Sequence, residues 1–453
     1  MKSAAILVVA AVVSLPGCSS HRIERPDVVL VVVDTLRADH VGAYGYPRAT
    51  TPNIDGLAGT ATRFEVGLAS APWTGSSMAT LFTGLHGSSH GLLTCSAPLG
   101  GDTLPGDFLA PGNVTLAESL AEAGYATAAV TSNPWLRARY GYAQGFDVFD
   151  ELPAKAAAGP VTDRAIARYR ELRGAGDRPL FLYVHYMDAH GPYQPDPPFD
   201  AMFRSGEERI LSETEWAAVE PYLRIGENRD LSLYVDRYDG GIRQCDEQVG
   251  RLLQAIGSRL SRTIVVFTAD HGEEFFEHGR AGHGYTLFEE MMRIPLVIRV
   301  PGREPRVVPA PEFAGLVDLA PTILSLAGVP VSSDRFDGRA LFSGEPPPVT
   351  AWAENHTKGS RLVSRRRADS KAIFALGEPR LLSFLDLAMD PRETKDLRAF
   401  LPPKVLESEL AAVRGFSERS ESRRRRVTEG FVPPAEAADP AERENLRKLG
   451  YVK

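Results

Sequence analysis

The sequence predicts an α/β fold with a large, mostly parallel central sheet flanked by helices, followed by a smaller C-terminal α+β subdomain. Three observations predict it. Apolar runs rich in Val, Ile and Leu recur as VVLVVV (28–33), PLFLYV (179–184) and TIVVFTA (263–269), the pattern of parallel strands buried on both faces. Segments with helical spacing alternate with them, which argues for a doubly wound arrangement. Each run also leads into acidic or imidazole side chains: Asp34, the His185 to His190 segment, and Asp270 with His271. In open α/β sheets the ligand crevice lies beyond the carboxyl ends of such strands, so these side chains are expected to converge in one cleft.

Taken in order, the first strand is followed by TPNIDGLAGTATRFEVG (51–67), where Asn53 and Asp55 suit a helix start. VTLAESLAEAGYATAAVTSN (114–133) reads as a helix ending near Gly124 and a strand reaching about Thr131. DEQVGRLLQAIG (246–257) has the spacing of a helix that covers a sheet. GEPPPVT (344–350) marks a domain boundary, and beyond it KAIFAL and LLSFLDL read as short strands before a charged tail. The expected division is a signal segment at 1–18, a linker at 19–26, a catalytic domain at 27–343 and a smaller subdomain at 344–453. The run Arg423 to Arg426 is read as a solvated helix face, with anionic headgroups as the alternative.

A 453-residue chain with 43% hydrophobic and 24% charged residues is long enough for one large core and a second unit. A formal charge of -7 offers no basic surface for nucleic acid, which is excluded as a partner. Lys2 and the apolar stretch from Ala4 to Leu15 suit the h-region of an export signal and are too short to span a bilayer. Leu15, Pro16, Gly17 and Cys18 resemble the lipobox of bacterial lipoproteins, which implies an exported protein lipid-anchored in the cell envelope, on the periplasmic or outer-membrane face. An ordinary cleaved signal is the alternative. Cys95 and Cys245 then remain, and whether they pair is left open.

Asp34, Asp270 and His271 offer hard oxygens and an imidazole nitrogen, a set that suits Zn or Mn ahead of Ca or Mg. A metal there would draw charge from a phosphoryl or sulfuryl oxygen and activate a hydroxyl.

VVLVVVDTLRADHVGAYGY, TTPNIDGLAGTATRFEVGLASAP, LFTGL, YVHYMDAHGPYQP, VFTADHGEEFFEHG, TLFEEMMRIPLVI and LVDLAPTILSLAGV together resemble the sulfatase branch of the alkaline phosphatase superfamily, from about residue 27 to 341. The resemblance implies that fold and a metal-dependent hydrolase of ester bonds. It breaks at the nucleophile, because sulfatases convert a Cys or Ser in C/S-x-P-x-R to formylglycine. Counting ten residues back from Gly84 lands on Thr74, in TGSSM, without the Pro or Arg; a competing register at Ser70 keeps Ser and Pro but loses Arg. TSNPWL (131–136) also lacks the Lys and His of the family's sulfate-binding block, and puts Asn133 there as a substrate-binding candidate.

Phosphoethanolamine transferases and lipoteichoic acid synthases of the same superfamily use a Thr nucleophile, and His283 in AGHGY and His190 in AHGPY match the transferase spacing. The resemblance therefore implies Asp34, Thr74, Asp270 and His271 as the metal site, with Thr74 as nucleophile. His190 and His283 are implied as catalytic residues that bind the substrate oxyanion or a second metal. Arg37 is a further substrate-binding candidate, with a structural salt bridge as its alternative. His185 and Asp188 are expected behind these residues, Glu273 and His278 as loop supports, and Trp73 and Trp135 either in a pocket wall or in packing. The expected substrate is a small-molecule, glycan or lipid phosphoester. Sulfate-ester hydrolysis, phosphoryl-group transfer and a non-catalytic envelope lipoprotein stand as alternatives.

Overall fold

The computed structural model describes residues 25–94, 107–330, 332–344, 349–377 and 379–433. The signal segment, Cys18, Cys95 and the end of the charged tail lie outside the described residues, and Cys245 is a buried free thiol.

The strands of the large sheet are β1 (Asp27–Val33), β2 (Thr62–Leu68), β3 (Ala126–Thr131), β4 (Val148–Glu151), β5 (Leu180–Tyr186) and β6 (Thr263–Ala269). After the two-stranded β7 (Glu274–Phe275) and β8 (Ala281–Gly282) it is completed by β9 (Arg293–Arg299), β10 (Arg306–Val308) and β11 (Ala314–Gly315). The spatial order is β10-β2-β9-β6-β1-β5-β3-β4, with β11 also beside β2. Only β9 runs antiparallel to its neighbours β2 and β6. The mostly parallel α/β sheet read from the apolar runs is therefore the observed one.

The helices are α1 (Pro52–Ala58), α2 (Thr74–Thr83), α3 (Gly87–His90), α4 (Leu116–Glu122), α5 (Ala158–Gly174), α6 (Glu213–Ala218), α7 (Leu231–Ile256), α8 (Glu289–Met292), α9 (Leu319–Leu326) and α10 (Pro403–Val427). One group, α1, α5 and α7, packs together, as do α2, α4 and α9. This cover explains why every residue of β1, β3, β5 and β6 is buried, and why those strands carry no polar-apolar alternation.

The start of α1 differs from expectation. Its cap position is Thr51, with Pro52 in the first turn. Asn53 instead bonds Asp246 on α7, and Asp55 accepts from the Ala43 N–H. Both polar side chains are drawn into tertiary contacts that helix-start statistics do not weigh.

The C-terminal unit is an antiparallel sheet of β12 (Ala351–Asn355), β13 (Leu362–Arg366), β14 (Ser370–Ala375) and β15 (Arg380–Asp386). Val413 and Phe416 of α10 pack on its Val363, Ala372 and Phe374. Fully buried Lys371 joins it to the larger sheet's surroundings, paired with Glu289 at 2.7 Å and Glu393 at 2.8 Å, while Arg366 reaches Glu289 at 3.2 Å. In the arginine run of α10, Arg423 pairs with Asp337, and Arg424 and Arg425 pair with Glu421. Among the described residues no helix is long and apolar enough to cross a membrane.

Candidate active site and metal centre

Register brings the first ligands together. Val33 of β1 lies between Tyr186 of β5 and Ala269 of β6, so Asp34 and Asp270 leave adjacent strand ends at one level. The Asp34 N–H is tied to the Tyr186 carbonyl at 2.9 Å. Thr35 adopts a φ of 57° and donates its N–H to Asp270 Oδ1 at 3.1 Å, and the His271 N–H donates to the same oxygen at 2.8 Å. Gly272 follows because nothing larger fits: a Cβ there would stand 1.9 Å from the Glu290 carbonyl oxygen.

One donor atom each from Asp34, Asp270 and His271 lies within 4.8 Å of the other two, and all three residues are fully buried. Among the described residues, Asp34 Oδ1, Asp270 Oδ2 and His271 Nε2 have no hydrogen-bond partner. His271 Nδ1 donates to the Gly272 carbonyl at 2.8 Å, which places the lone pair of the neutral ring on Nε2. Buried polar atoms are rarely left orphaned. Two orphan carboxylate oxygens beside an orphan imidazole nitrogen fit a divalent cation, and the donor set suits Zn or Mn.

Electrostatics say the same. Burial opposes the charge on Asp34, but the His185 hydrogen bond and the nearby His190 and His271 rings outweigh it and hold the carboxyl far below its usual range. For Asp270, burial and then the Asp34 charge push the carboxyl up. Like charges this close call for a cation.

Thr74 is the first residue of α2. The cap position belongs to Trp73, and no side chain caps the helix, so the Thr74 hydroxyl is not consumed as a helix cap. It donates to Asp34 Oδ2 at 3.4 Å and accepts from Asn133 Nδ2 at 3.3 Å. Asn133 also donates to Asp34 Oδ2 at 2.6 Å and accepts from the Trp135 N–H at 2.7 Å. The hydroxyl thus sits at a helix N-terminus, where an anion is favoured. α2 ends ten residues later at Gly84, whose φ of 66° closes the helix in the left-handed region.

The remaining imidazoles gather here. Ring centroids are 4.8 Å apart for His271 and His283 and 4.9 Å for His190 and His283. Burial pushes the His190 ring down to about 3 and His283 well below the usual value. His190 Nδ1 bonds the Gly191 carbonyl, so its neutral Nε2 is a proton acceptor. His283 Nδ1 meets Glu273 Oε1 at 3.0 Å. Behind Asp34, His185 Nε2 bonds Oδ2 at 3.1 Å, and His185 Nδ1 meets the Tyr183 hydroxyl at 2.7 Å.

Other candidates go elsewhere. Arg37, expected against substrate, is locked in a structural cluster: its guanidinium pairs with Asp39 and Glu277 and donates to the Glu273 carbonyl. Those carboxylates use up the charge that substrate binding would need. Ser70 lines a cavity of about 230 Å³ with His86, Asp318 and Trp352, and that lining includes none of Asp34, Thr74, Asp270 or His271. Trp73 and Trp135 are buried edge to face at 6.1 Å and serve packing. Asp188 accepts from the Ala158 N–H and from Gln244. His278 pairs with Glu290 and stacks on Phe288 at 3.7 Å, a loop support as expected from the sequence.

Two residues were missed. Glu273, assigned only loop support, is fully buried against His283, and burial pushes its carboxyl up to about 7. Lys155 drew no attention because a lone lysine in a loop carries no motif. Its backbone N–H bonds the Ser132 carbonyl at 2.9 Å and its ammonium donates to the Pro192 carbonyl, which places it between the loops of Asn133 and His190.

The family model described as Sulfatase matches residues 26–329. An N-acetylglucosamine-6-O-sulfatase of Bacteroides thetaiotaomicron is 24% identical, covering 86% of this chain and 86% of the relative. Arylsulfatase A of Homo sapiens is 28% identical, covering 69% of this chain and 66% of its own length. Among solved structures, a phosphonate monoester hydrolase of Agrobacterium radiobacter shares the fold with a TM-score of 0.66 at 23% identity, over 89% of this chain and 96% of that one.

Proposed function

The chain belongs to the sulfatase family, whose members hydrolyse ester bonds, and on that premise we propose that it is an exported, metal-dependent hydrolase of phosphoesters with Thr74 as nucleophile. The observation that carries the reading is the Thr74 hydroxyl, buried between Asp34 and Asn133 beside three orphan ligand atoms. No cysteine or serine occupies that place.

Asp34, Asp270 and His271 would hold the divalent cation, which when bound supplies positive charge to the phosphoryl oxygens and to the attacking hydroxyl. Thr74 Oγ1, held by Asp34 Oδ2, attacks phosphorus as its proton passes to neutral His190 Nε2; the bond from phosphorus to the ester oxygen breaks, and His190 returns that proton to the oxygen, which leaves as an alcohol. Water then cleaves the phosphothreonine, releasing phosphate and restoring the hydroxyl. His190, an acceptor at Nε2 when neutral, carries a proton between these steps, and Glu273 orients His283 toward the same charge. Asn133 keeps Thr74 and Asp34 aligned. A formylglycine hydrate releases sulfate by elimination, a route closed to a threonine ester, and this favours phosphoesters over sulfate esters.

Similarity to an N-acetylglucosamine-6-O-sulfatase favours sulfated sugars as the second reading. Under either reading the protein is exported and held at the cell envelope by a lipid on Cys18, with a small-molecule, glycan or lipid ester as partner. The test is hydrolysis of matched aryl phosphodiester, phosphomonoester and sulfate substrates with Zn, Mn, Ca or Mg restored after chelation. Metal-dependent phosphoester cleavage lost in Thr74→Ala is the expected result. Sulfate cleavage that survives Thr74→Ala would overturn it.

A further inference from the structure

Lys155 has no ion-pair partner among the described residues, although its site is crowded with carboxylates; burial pushes its amine down to about 7 against the pull of Asp188, Asp34 and Glu273, and an anion beside it would favour the ammonium form. Of its three ammonium donors, one is used by the Pro192 carbonyl. Its backbone stands at a φ of 56°, a conformation that non-glycine residues rarely adopt and that persists only where surrounding contacts over-determine it. The Ser132 carbonyl, adjacent to Asn133, holds the Lys155 N–H, and Pro192, two residues past His190, holds the ammonium. The side chain thereby spans the gap between the two loops that supply Asn133 and His190. Its ammonium lies within electrostatic range of Asp188, Asp34, Glu273 and His190, yet no carboxylate stands within ion-pair distance. A structural lysine in such surroundings closes on an acid, as Lys371 does. This one stops short of every acid around it.

We propose that Lys155 is an oxyanion-binding residue of this site, its ammonium taking a non-bridging oxygen of the tetrahedral phosphoryl or sulfuryl group presented to Thr74. The proposal rests on the reading of Thr74 as nucleophile, and it explains how the site manages where Asn133 and Trp135 stand in the loop after β3 and supply no cation. An ammonium is a strong donor to an anionic oxygen and is worth most where water is excluded.

The test is binding of inorganic phosphate and, separately, inorganic sulfate to the metal-loaded full chain by calorimetry. The proteins compared are wild type, Lys155→Gly, Lys155→Met, Lys155→Arg and Thr74→Ala. Lys155→Gly removes the ammonium while suiting the left-handed backbone, so it guards against a variant that fails to fold, and thermal unfolding is recorded for each. The expected result is affinity for the preferred oxyanion weakened at least about tenfold in Lys155→Gly and Lys155→Met, and largely rescued in Lys155→Arg. Which oxyanion the wild type prefers separates the phosphoester from the sulfate-ester reading. Loss of turnover in Thr74→Ala with oxyanion binding intact tests the nucleophile by itself. Wild-type affinity in folded Lys155→Gly, or a wild type that binds neither oxyanion, would overturn the proposal.

Discussion

Two buried charge clusters in this molecule have opposite designs. At the joint with the C-terminal sheet, Glu289 and Glu393 each have the Lys371 ammonium within 3 Å, and Arg366 adds a second cation to Glu289. At the carboxyl end of the large sheet, Asp34 and Asp270 face each other with no lysine or arginine partner among the described residues, and together with His271 they leave three orphan ligand atoms. Both clusters are out of water, where an unpaired charge is costly. The first is neutralised by the chain itself and holds the structure together. The second is left short of positive charge, as expected of a site completed by a cation and an anionic substrate.

The largest break in this comparison is Thr74→Ala. It removes the proposed nucleophile, leaves every charged side chain of both clusters in place and gives up only two long hydrogen bonds, to Asp34 and Asn133, so kcat is expected to fall by about a thousandfold or more while thermal unfolding shifts little. A residual rate within tenfold of wild type would move the chemistry to another residue.

Next is the response of each cluster to metal. Zn or Mn at about a hundred times its dissociation constant is expected to stabilise the wild type by roughly 2.7 kcal/mol, and Asp270→Asn to abolish the gain. Scanning fluorimetry with chelator and with metal reads this directly, and an equal gain in the variant would place the cation elsewhere. Lys371→Met is expected to leave the metal response intact but to cost about 3–5 kcal/mol in urea unfolding, because it strands buried carboxylates. A cost below 1 kcal/mol would show that the joint is wet.

The smallest effect sharpens the contrast through pH. Burial opposes the charge on Glu289, but Lys371 and Arg366 hold its carboxyl down to about 2. Its contribution to stability is fully present above the unfolded value of 4.5 and is lost as pH falls toward 2. Glu274, two residues after Gly272, shows the reverse: burial and then the Glu290 charge push it up to about 8. Its folded form binds the extra proton, so stability is lost as pH rises from 4.5 through 8. Glu274→Gln is therefore expected to flatten the decline between pH 6 and 8.5 by on the order of 1 kcal/mol. Parallel urea titrations of variant and wild type at the two pH values check it, and identical slopes would remove Glu274 from the account.

Much of this was legible in the chain. Val28 to Val33 declared a buried strand because no residue in the run would tolerate solvent on either face, and Asp34 was conspicuous for ending it. Thr74 was located only by counting from Gly84, and its role as α2's first residue was invisible because Thr is common at helix starts in any capacity. Arg37 was ambiguous for a related reason: an arginine near a ligand reads alike whether it faces substrate or, as here, pairs with the acids Asp39 and Glu277. Lys155 and Glu273 gave no signal, since their importance lies in contacts that no motif marks: Lys155 with the Pro192 carbonyl 37 residues on, and Glu273 with His283 ten residues on.

By itself, then, the sequence determined the layered α/β architecture, the strand ends and the ligand types, because burial on both faces and the chemistry of Asp, His and Thr are written in local composition. Only the tertiary structure decided which polar atoms are satisfied. It left Asp34, Asp270 and His271 short of partners, gave Arg37 its acids and kept Lys155 from closing on any. The physical reason is that pairing within a buried cluster depends on strand register and loop packing between segments distant in the chain, and no local pattern of residues encodes those distances.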